Sequence, residues 1–366
     1  MEANSLDIYA NGWGVTDETI VEISQWEWDM LLRFREAVQD AVVTDLNERE
    51  VHWDNKQGDW MRASVRSLQI DRGGNAWNTA NAIHKVLRTV DPRAAEEELR
   101  FHAFRNPKFQ QMPFHTVLRD VEGEVKMRVA YVIKGPNGDD PMYWSLPPAP
   151  VETGTLPDAQ NVLISSSGPD VYEEILAHCR KNPKGKVFLA PGSAQVKRGI
   201  PMEVLERIHL LSCNRDEAAA LAQYLEPRDE KMSWTPGNLL AFFRDVGLPE
   251  LRITDGAKGV HSLSEGKAFH MAGFDREKDS IQEAAKWLFD AGVATAKTFK
   301  HPNANGCGDT RLGVELGMTM AGRSLQESMR VANFMAALKT FIPGPNIGAV
   351  PDEVIGEIMD SLSTNL

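Results

Sequence analysis

From about Asn161 onward, short apolar runs alternate with stretches of helical spacing: "NVLISSS", "DVYEEILAHCRK", "KVFLA", "IPMEVLERI", "HLLSCN", then "DEAAALAQYL", "LRITDG" and "KAFHMAG". Runs that are apolar throughout and separated by helices belong in a parallel sheet covered on both faces. The spacing predicts an α/β core. Three other segments, "DETIVEI", "MRASVRSLQID" before Gly73 and "KMRVAYVIKGPNGDDPMYWSL", alternate loosely or carry a turn between strand-like runs. They predict a small separate sheet. Its segments are placed at approximately 16–24, 61–71 and 114–147, with a Trp-rich, partly amphipathic helical insertion at approximately 25–60, inside one α/β domain spanning 1–366.

The chain has 366 residues, 42% hydrophobic and 25% charged, enough for a large core. A formal net charge of −12, with no clustering of Lys and Arg, argues against a nucleic-acid partner. No apolar run approaches the roughly 18 residues of a membrane span, and the first residues lack the pattern of a signal peptide. A cytoplasmic protein is expected. Cys179, Cys213 and Cys307 are far apart, which suggests neither a disulfide framework nor a Cys-based zinc site.

Candidate chemistry concentrates in four short stretches. In "HPNANGCGDT", Gly306, Cys307 and Gly308 precede Asp309 at the start of an expected helix. Glycines let backbone amides approach a ligand, and a helix start favours an anion. An aspartate there could take a proton from a hydroxyl while the amides stabilise a transferred phosphoryl group. Asp309 as a plain helix cap is the alternative. "DRGGNAWNTANAIHKVL" sets Gly73 and Gly74 before a helix whose first turn could aim Asn78 into a cleft, or form an ordinary turn. Asn214 and Glu217 in "LLSCNRDEAAAL" share one helix face and suit the waters around Mg²⁺, although the same pair reads as a capping box. Thr254, Gly256 and Gly259 in "ITDGAKGV" end a strand-like run, where open parallel sheets bind ligands, or turn a bare hairpin.

Taken in order, these stretches resemble the ribokinase family of small-molecule kinases, also called the phosphofructokinase-B family. Its glycine-pair, Asn-x-x-Glu, Thr-x-Gly-x-x-Gly and Gly-Ala-Gly-Asp motifs read here as "GGNAWN", "NRDE", "TDGAKG" and "GCGD", and Asn333 in "RVANFMAAL" falls at a nucleotide-contacting position. The resemblance implies a three-layer α/β/α core with a mostly parallel sheet and a small β-sheet lid. It implies ATP as phosphoryl donor, Mg²⁺, and a sugar or sugar-like acceptor. Asp309 would be the general base, with the amides of Gly306, Cys307 and Gly308 as anion hole. Asp17, Gly73, Gly74 and Asn78 would bind the acceptor. Asn214 and Glu217 would organise Mg²⁺ through water, while Thr254, Gly256, Gly259 and Asn333 would border the nucleotide. In several members the lid also makes a homodimer interface.

Departures qualify what is implied. Asn303 stands where members such as ribokinase carry an Asp that contacts the acceptor or helps hold a monovalent cation, so potassium activation and ribose preference are not implied. Arg311 replaces the usual aromatic residue two places after the base, where it could pair with a bound phosphate, or else point into solvent or meet a carboxylate. Trp13 and Trp77 near the acceptor motifs leave a nucleoside kinase open. An ADP-dependent sugar kinase and an inactive binding protein are further alternatives.

Overall fold

The computed structural model describes residues 5–9, 16–22, 31, 42–46, 50–54, 60–64, 67–104, 113–119, 128–134, 142–144, 156–165, 171–227 and 234–363. The chain begins with β1 (Leu6–Tyr9), an element the sequence pattern did not announce, and leaves the core for β2 (Thr16–Glu22), β3 (Val42–Leu46), β4 (Glu50–Asp54), β5 (Trp60–Ser64) and β6 (Ser67–Gly73). It re-enters through α1 (Asn75–Val90), α2 (Pro92–Glu97), β7 (Leu99–Phe104) and β8 (His115–Arg119), and departs again for β9 (Arg128–Lys134) and β10 (Met142–Trp144). From β11 (Asn161–Ser165) it alternates: α3 (Val171–Lys181), β12 (Lys186–Ala190), α4 (Ser193–Arg198), α5 (Met202–Leu205), β13 (Leu210–Asn214), α6 (Arg215–Leu225), α7 (Pro236–Asp245) and β14 (Glu250–Thr254). The hairpin strands β15 (Val260–Ser264) and β16 (Lys267–Met271) follow, then α8 (Asp279–Asp290), α9 (Ala296–Lys300), α10 (Cys307–Met320), α11 (Leu325–Lys339) and α12 (Asp352–Ser363).

Nine strands form the main sheet in the order β16-β15-β14-β13-β12-β11-β1-β7-β8, parallel from β8 to β14 and antiparallel at β14-β15-β16. Alternate strand residues enter opposite cores: Val162 and Ile164 pack with α3, α6 and α7, while Leu163 faces α1 and α10. Helices α8, α11 and α12 close a third apolar cluster behind α1 and α10. The layers are α/β/α, and the chain reverses direction across the sheet beside β1. The carboxyl ends of parallel strands at such a reversal are where open sheets bind ligands.

A separate four-stranded sheet, β10-β9-β2-β6, joins the segments expected to lie outside the core. Three expectations are corrected. Within 114–147, His115–Arg119 does not belong to that sheet but pairs in parallel with β7 as the main sheet's edge, anchored by buried Phe114. Within 61–71, the chain splits: Trp60–Ser64 joins β3 and β4, and only Ser67–Gly73 pairs with β2. The 25–60 insertion is not simply helical, because β3, β4 and β5 make a three-stranded antiparallel sheet. The β-branched and aromatic run Val51-His52-Trp53 favours a strand. Leu31 is helical and buried; the remainder of 23–41 lies outside the described residues.

Candidate active site

Helix α10 starts at Gly306, whose φ of 73° places it in the left-handed region and where a Cβ would run into the Pro345 carbonyl. Only glycine fits without strain. Helix geometry leaves the first-turn amides without acceptors inside the helix. The Cys307 amide turns back to the Ala304 carbonyl at 3.2 Å, which corrects its expected place in the anion hole. Gly308 is exposed, with open space where a side chain would be. The Cys307 thiol points to the Asn303 carbonyl at 3.7 Å and is held above its usual range by burial, which leaves it protonated and unreactive.

Asp309 meets Asn78 of α1: Nδ2 of Asn78 donates to Oδ2 of Asp309 at 3.1 Å, across 231 residues of sequence. The contact exists because α1 and α10 pack almost backbone to backbone. A Cβ at Gly313 would lie 2.5 Å from Cβ of Ala82, and one at Gly317 would lie 3.2 Å from the Ile83 carbonyl. The amide donates to the carboxylate, so it stabilises the ionised form that a general base requires. Gly74, buried and with φ of 94°, caps α1 one turn before Asn78. Gly73 pairs with Thr16, which puts Asp17 one register step away, opposite Arg72. Backbone register thus brings Asp17 next to Gly73; the Asp17 side chain lies outside the described parts.

A cavity of about 300 Å³ opens beside Gly308. Thr254, Gly256, Gly259, Arg311 and Asn333, drawn from three separate segments, line it together with Cys307. The Gly256–Gly259 turn links the antiparallel β14 and β15, so the hairpin and the ligand-loop readings coincide. Gly259 has φ of 98°, and a side chain there would strike the backbone at Met271 and Gly273.

Arg311 is 3% exposed; its Nη2 donates to Glu315 at 2.5 Å and its Nε to Oδ1 of Asn333 at 3.2 Å. The carboxylate partner is present, and among the described residues Nη1 of Arg311 is buried with no hydrogen-bond partner. Although burial opposes ionisation, the Arg311 and Arg252 guanidiniums hold Glu315 below the usual carboxylate range. Arg252 completes the buried ladder with bonds to Glu315 at 2.7 Å and Glu250 at 2.9 Å. Asn333 spends its remaining amide hydrogens on the carbonyls of Ala272 at 3.1 Å and Met271 at 3.4 Å. It walls the cavity and orients Arg311.

Asn214 and Glu217 form a capping box: Oδ1 of Asn214 accepts from the Glu217 amide at 2.8 Å, and the Asn214 amide donates to Oε2 of Glu217 at 3.0 Å. Ser193 donates to Oε1 of Glu217 at 2.7 Å. The pair sits beside the Gly256–Gly259 turn because Asn214 is in register with Thr254. Each carboxylate oxygen keeps a second lone pair, so water can still bind there. Burial raises the Glu217 carboxyl above its usual range. Asn303 is 2% exposed, and its Nδ2 lies 2.9, 2.6 and 3.2 Å from the carbonyls of Ile342, Pro343 and Gly344.

Comparison with solved structures gives full-length matches. The Thermotoga maritima ribokinase is 13% identical, with a TM-score of 0.60 and 99% of each chain covered. The Arabidopsis thaliana ribokinase complexed with ribose and ATP is 15% identical, with a TM-score of 0.61, covering 98% of this chain and 99% of that one. The chain has the ribokinase-like fold. A Burkholderia thailandensis nucleoside kinase in complex with inosine shares it at 15% identity and a TM-score of 0.57, with 98% of this chain and 97% of that one covered. No family model and no curated protein matches the sequence. Ser193, Gly273, Phe274 and Arg276 also border the site without having been expected there. Only Gly273 carried a local signal, a glycine just past a strand; the others are brought in by tertiary packing. Trp77 is buried against Phe101 and Phe114, with ring centroids 6.1 and 5.3 Å away, and so belongs to the core. Trp13 lies outside the described residues.

Proposed function

We propose that the protein is a small-molecule kinase that transfers the terminal phosphoryl group of ATP to a hydroxyl of a sugar or sugar-like acceptor. The observation that carries this reading is the Asn78–Asp309 contact at the open start of α10, next to the cavity. Asp309 accepts the acceptor's proton while the exposed Gly308 amide and the positive end of α10 stabilise charge on the transferred group. Asn78 aims the carboxylate. Asp17, Gly73 and Gly74 border the acceptor, and Asn303 shapes the loop behind it. Thr254, Gly256, Gly259, Arg311 and Asn333 hold the nucleotide, for which the glycine turn and the cavity supply a fitting cradle. Gly306 and Cys307 fix the turn that presents Gly308.

Among the described residues no cluster of three or more His, Cys, Asp or Glu could hold a metal ion alone. Mg²⁺, which keeps several of its waters, suits Asn214 and Glu217 acting through water with the donor phosphates as direct ligands. Bound there, it would screen phosphate charge. A sugar acceptor is favoured over a nucleoside because Trp77 is committed to the core rather than offered for stacking.

A thermal-shift screen of sugars and nucleosides, with and without a nonhydrolysable ATP analogue, tests the reading. The expected outcome is stabilisation by a sugar that grows with nucleotide, because ligands of the folded state raise its stability. Stabilisation by nucleosides alone, or by no acceptor and no nucleotide, would contradict it.

A further inference from the structure

We propose that a second cavity, at the end of the sheet opposite the candidate active site, binds a small carboxylate with an apolar body, and that its occupancy weakens nucleotide binding at the other end. The second half rests on the kinase reading. The cavity, of about 240 Å³, is lined by Leu6, Asn161, Lys186, Leu210 and Glu250. These are the first residues of β1, β11, β12, β13 and β14. Asn214 and Thr254, at the candidate active site, are the last residues of β13 and β14. The two cavities therefore lie at opposite ends of the same strands. Facing the strands, the second half of α10 closes this cavity with Glu315, Leu316, Thr319 and Met320. Helix α10 thus starts at one cavity and ends at the other.

The lining selects the ligand class. Leu6, Phe188, Leu210, Leu316, Met320 and Leu325 supply an apolar wall, as in pockets that hold small molecules, and leave orientation to a few polar groups. The two carboxylates are already matched: Arg252 pairs with Glu250 at 2.9 Å and with Glu315 at 2.7 Å, and Arg311 takes the other oxygen of Glu315. The end of α10 is closed too, because the carbonyls of Gly317, Met318 and Thr319 accept from the amides of Ala321, Arg323 and Gly322. Lys186, exposed at the start of β12, has no ion pair among the described residues. His209 lies with its ring edge-on to Phe188, centroids 5.6 Å apart. Burial first, and then Lys186, hold this imidazole below its usual range, so it is neutral at pH 7 and offers one N–H. An ammonium and an imidazole N–H beside an apolar wall suit a carboxylate carried on an apolar body.

A ladder of charges joins the two cavities. It runs Glu250, Arg252, Glu315, Arg311; the first three line this cavity and the last lines the other. Glu315 is shared, since Arg252 donates to Oε1 and Arg311 to Oε2. An anion held by Lys186 and His209 attracts Arg252, which already acts on His209. Glu315 then turns more fully to Arg311, and Arg311 has less attraction left for the donor's phosphates. Linkage requires the nucleotide to weaken the carboxylate by the same factor.

Benzoate is the probe, titrated into the full chain by ligand-observed NMR, with acetate lacking the apolar body and benzamide lacking the charge. Benzoate should bind with a Kd of about 1 mM, the range for so few atoms, and acetate about tenfold or more weakly. Benzamide to wild type, and benzoate to Lys186→Met, should bind about two- to fivefold more weakly, the worth of an exposed ion pair, with recovery in Lys186→Arg. In calorimetric titration, saturating benzoate should weaken ADP about fivefold relative to equal acetate, and less so in Lys186→Met. Benzoate that binds no better than acetate, or equally well to Lys186→Met, would overturn the site. Binding through Lys186 that leaves ADP affinity unchanged would overturn the regulation. Wild type that binds benzoate but not ADP sinks the kinase reading and leaves the carboxylate site standing. Melting curves show whether Lys186→Met has unfolded the chain; if it has, Met320→Trp, which adds bulk to the cavity wall, should abolish benzoate binding, and retained binding would overturn the site.

Discussion

Asn303 places a hydrogen-bond donor between three carbonyls, a space that a cation would otherwise suit. Turnover is therefore expected to be indifferent to exchange of potassium for sodium in the assay. Asn303→Asp would put an acceptor among acceptors and cost about 1–3 kcal/mol, the usual penalty for an unsatisfied buried group. Its melting temperature should rise more with potassium chloride than with choline chloride; equal response to both salts would contradict this account of the loop. Gly306 makes a second residue-scale prediction. With φ of 73° and the Pro345 carbonyl against its missing side chain, Gly306→Ala should lose at least about 1–2 kcal/mol in urea unfolding. An unchanged midpoint would mean that the turn can relax. Both residues were singled out in the sequence, yet what they bond to was not legible, because residues 342–345 come from far along the chain.

At the scale of elements, local patterns transmitted well wherever an element is specified by its own residues. Ala76, Ala80, Ile83 and Leu87 mark α1, and Asn214 with Glu217 marks the start of α6, a pair whose capping box is now explicit. The strands of the 25–60 insertion and the edge strand β8 were hidden for a different reason. Each is only five residues long, so no run is long enough to declare its period. Helix pairing was also invisible, although it sets the distance between Asn78 and Asp309: Gly313 and Gly317 let α10 press against α1. Gly313→Val should overpack that crossing, cost about 1–3 kcal/mol, and lower kcat by separating Asn78 from Asp309. Stability lost with kcat intact would show that the helix spacing does not govern the site.

For the whole molecule, the order of four motifs along the chain was more informative than any one of them, because the parallel sheet brings strand ends separated by tens of residues to one edge. Asn214 and Thr254 are adjacent in register for that reason, while Asp309 meets Asn78 through the packing of α10 on α1. Two buried groups make stability fall in acid. His84 is lowered from 6.5 to about 4, first by burial and then by Arg88 and Lys85, so the unfolded chain binds its proton more readily as pH drops through that window. Glu315 is depressed by its two arginines, and its contribution is lost at lower pH still. The melting temperature should decline from pH 6.5 towards 4, with a shallower slope in His84→Gln; a flat profile would contradict the assignment. The separate four-stranded sheet leads us to expect a dimer in light scattering, and a monomer at high concentration would remove the lid interface from the account.

Phosphoryl transfer by Asp309→Asn tests the central claim most directly. Asparagine keeps the shape and can cap the helix nearly as well, but it cannot take a proton from the acceptor. With the sugar that stabilises the protein as acceptor, kcat should fall about 10²–10⁴-fold, with little change in KM or in unfolding, because only a transition-state interaction is removed. A variant that folds normally and keeps near-wild-type kcat would contradict Asp309 as the base, and with it the kinase mechanism built on its contact with Asn78.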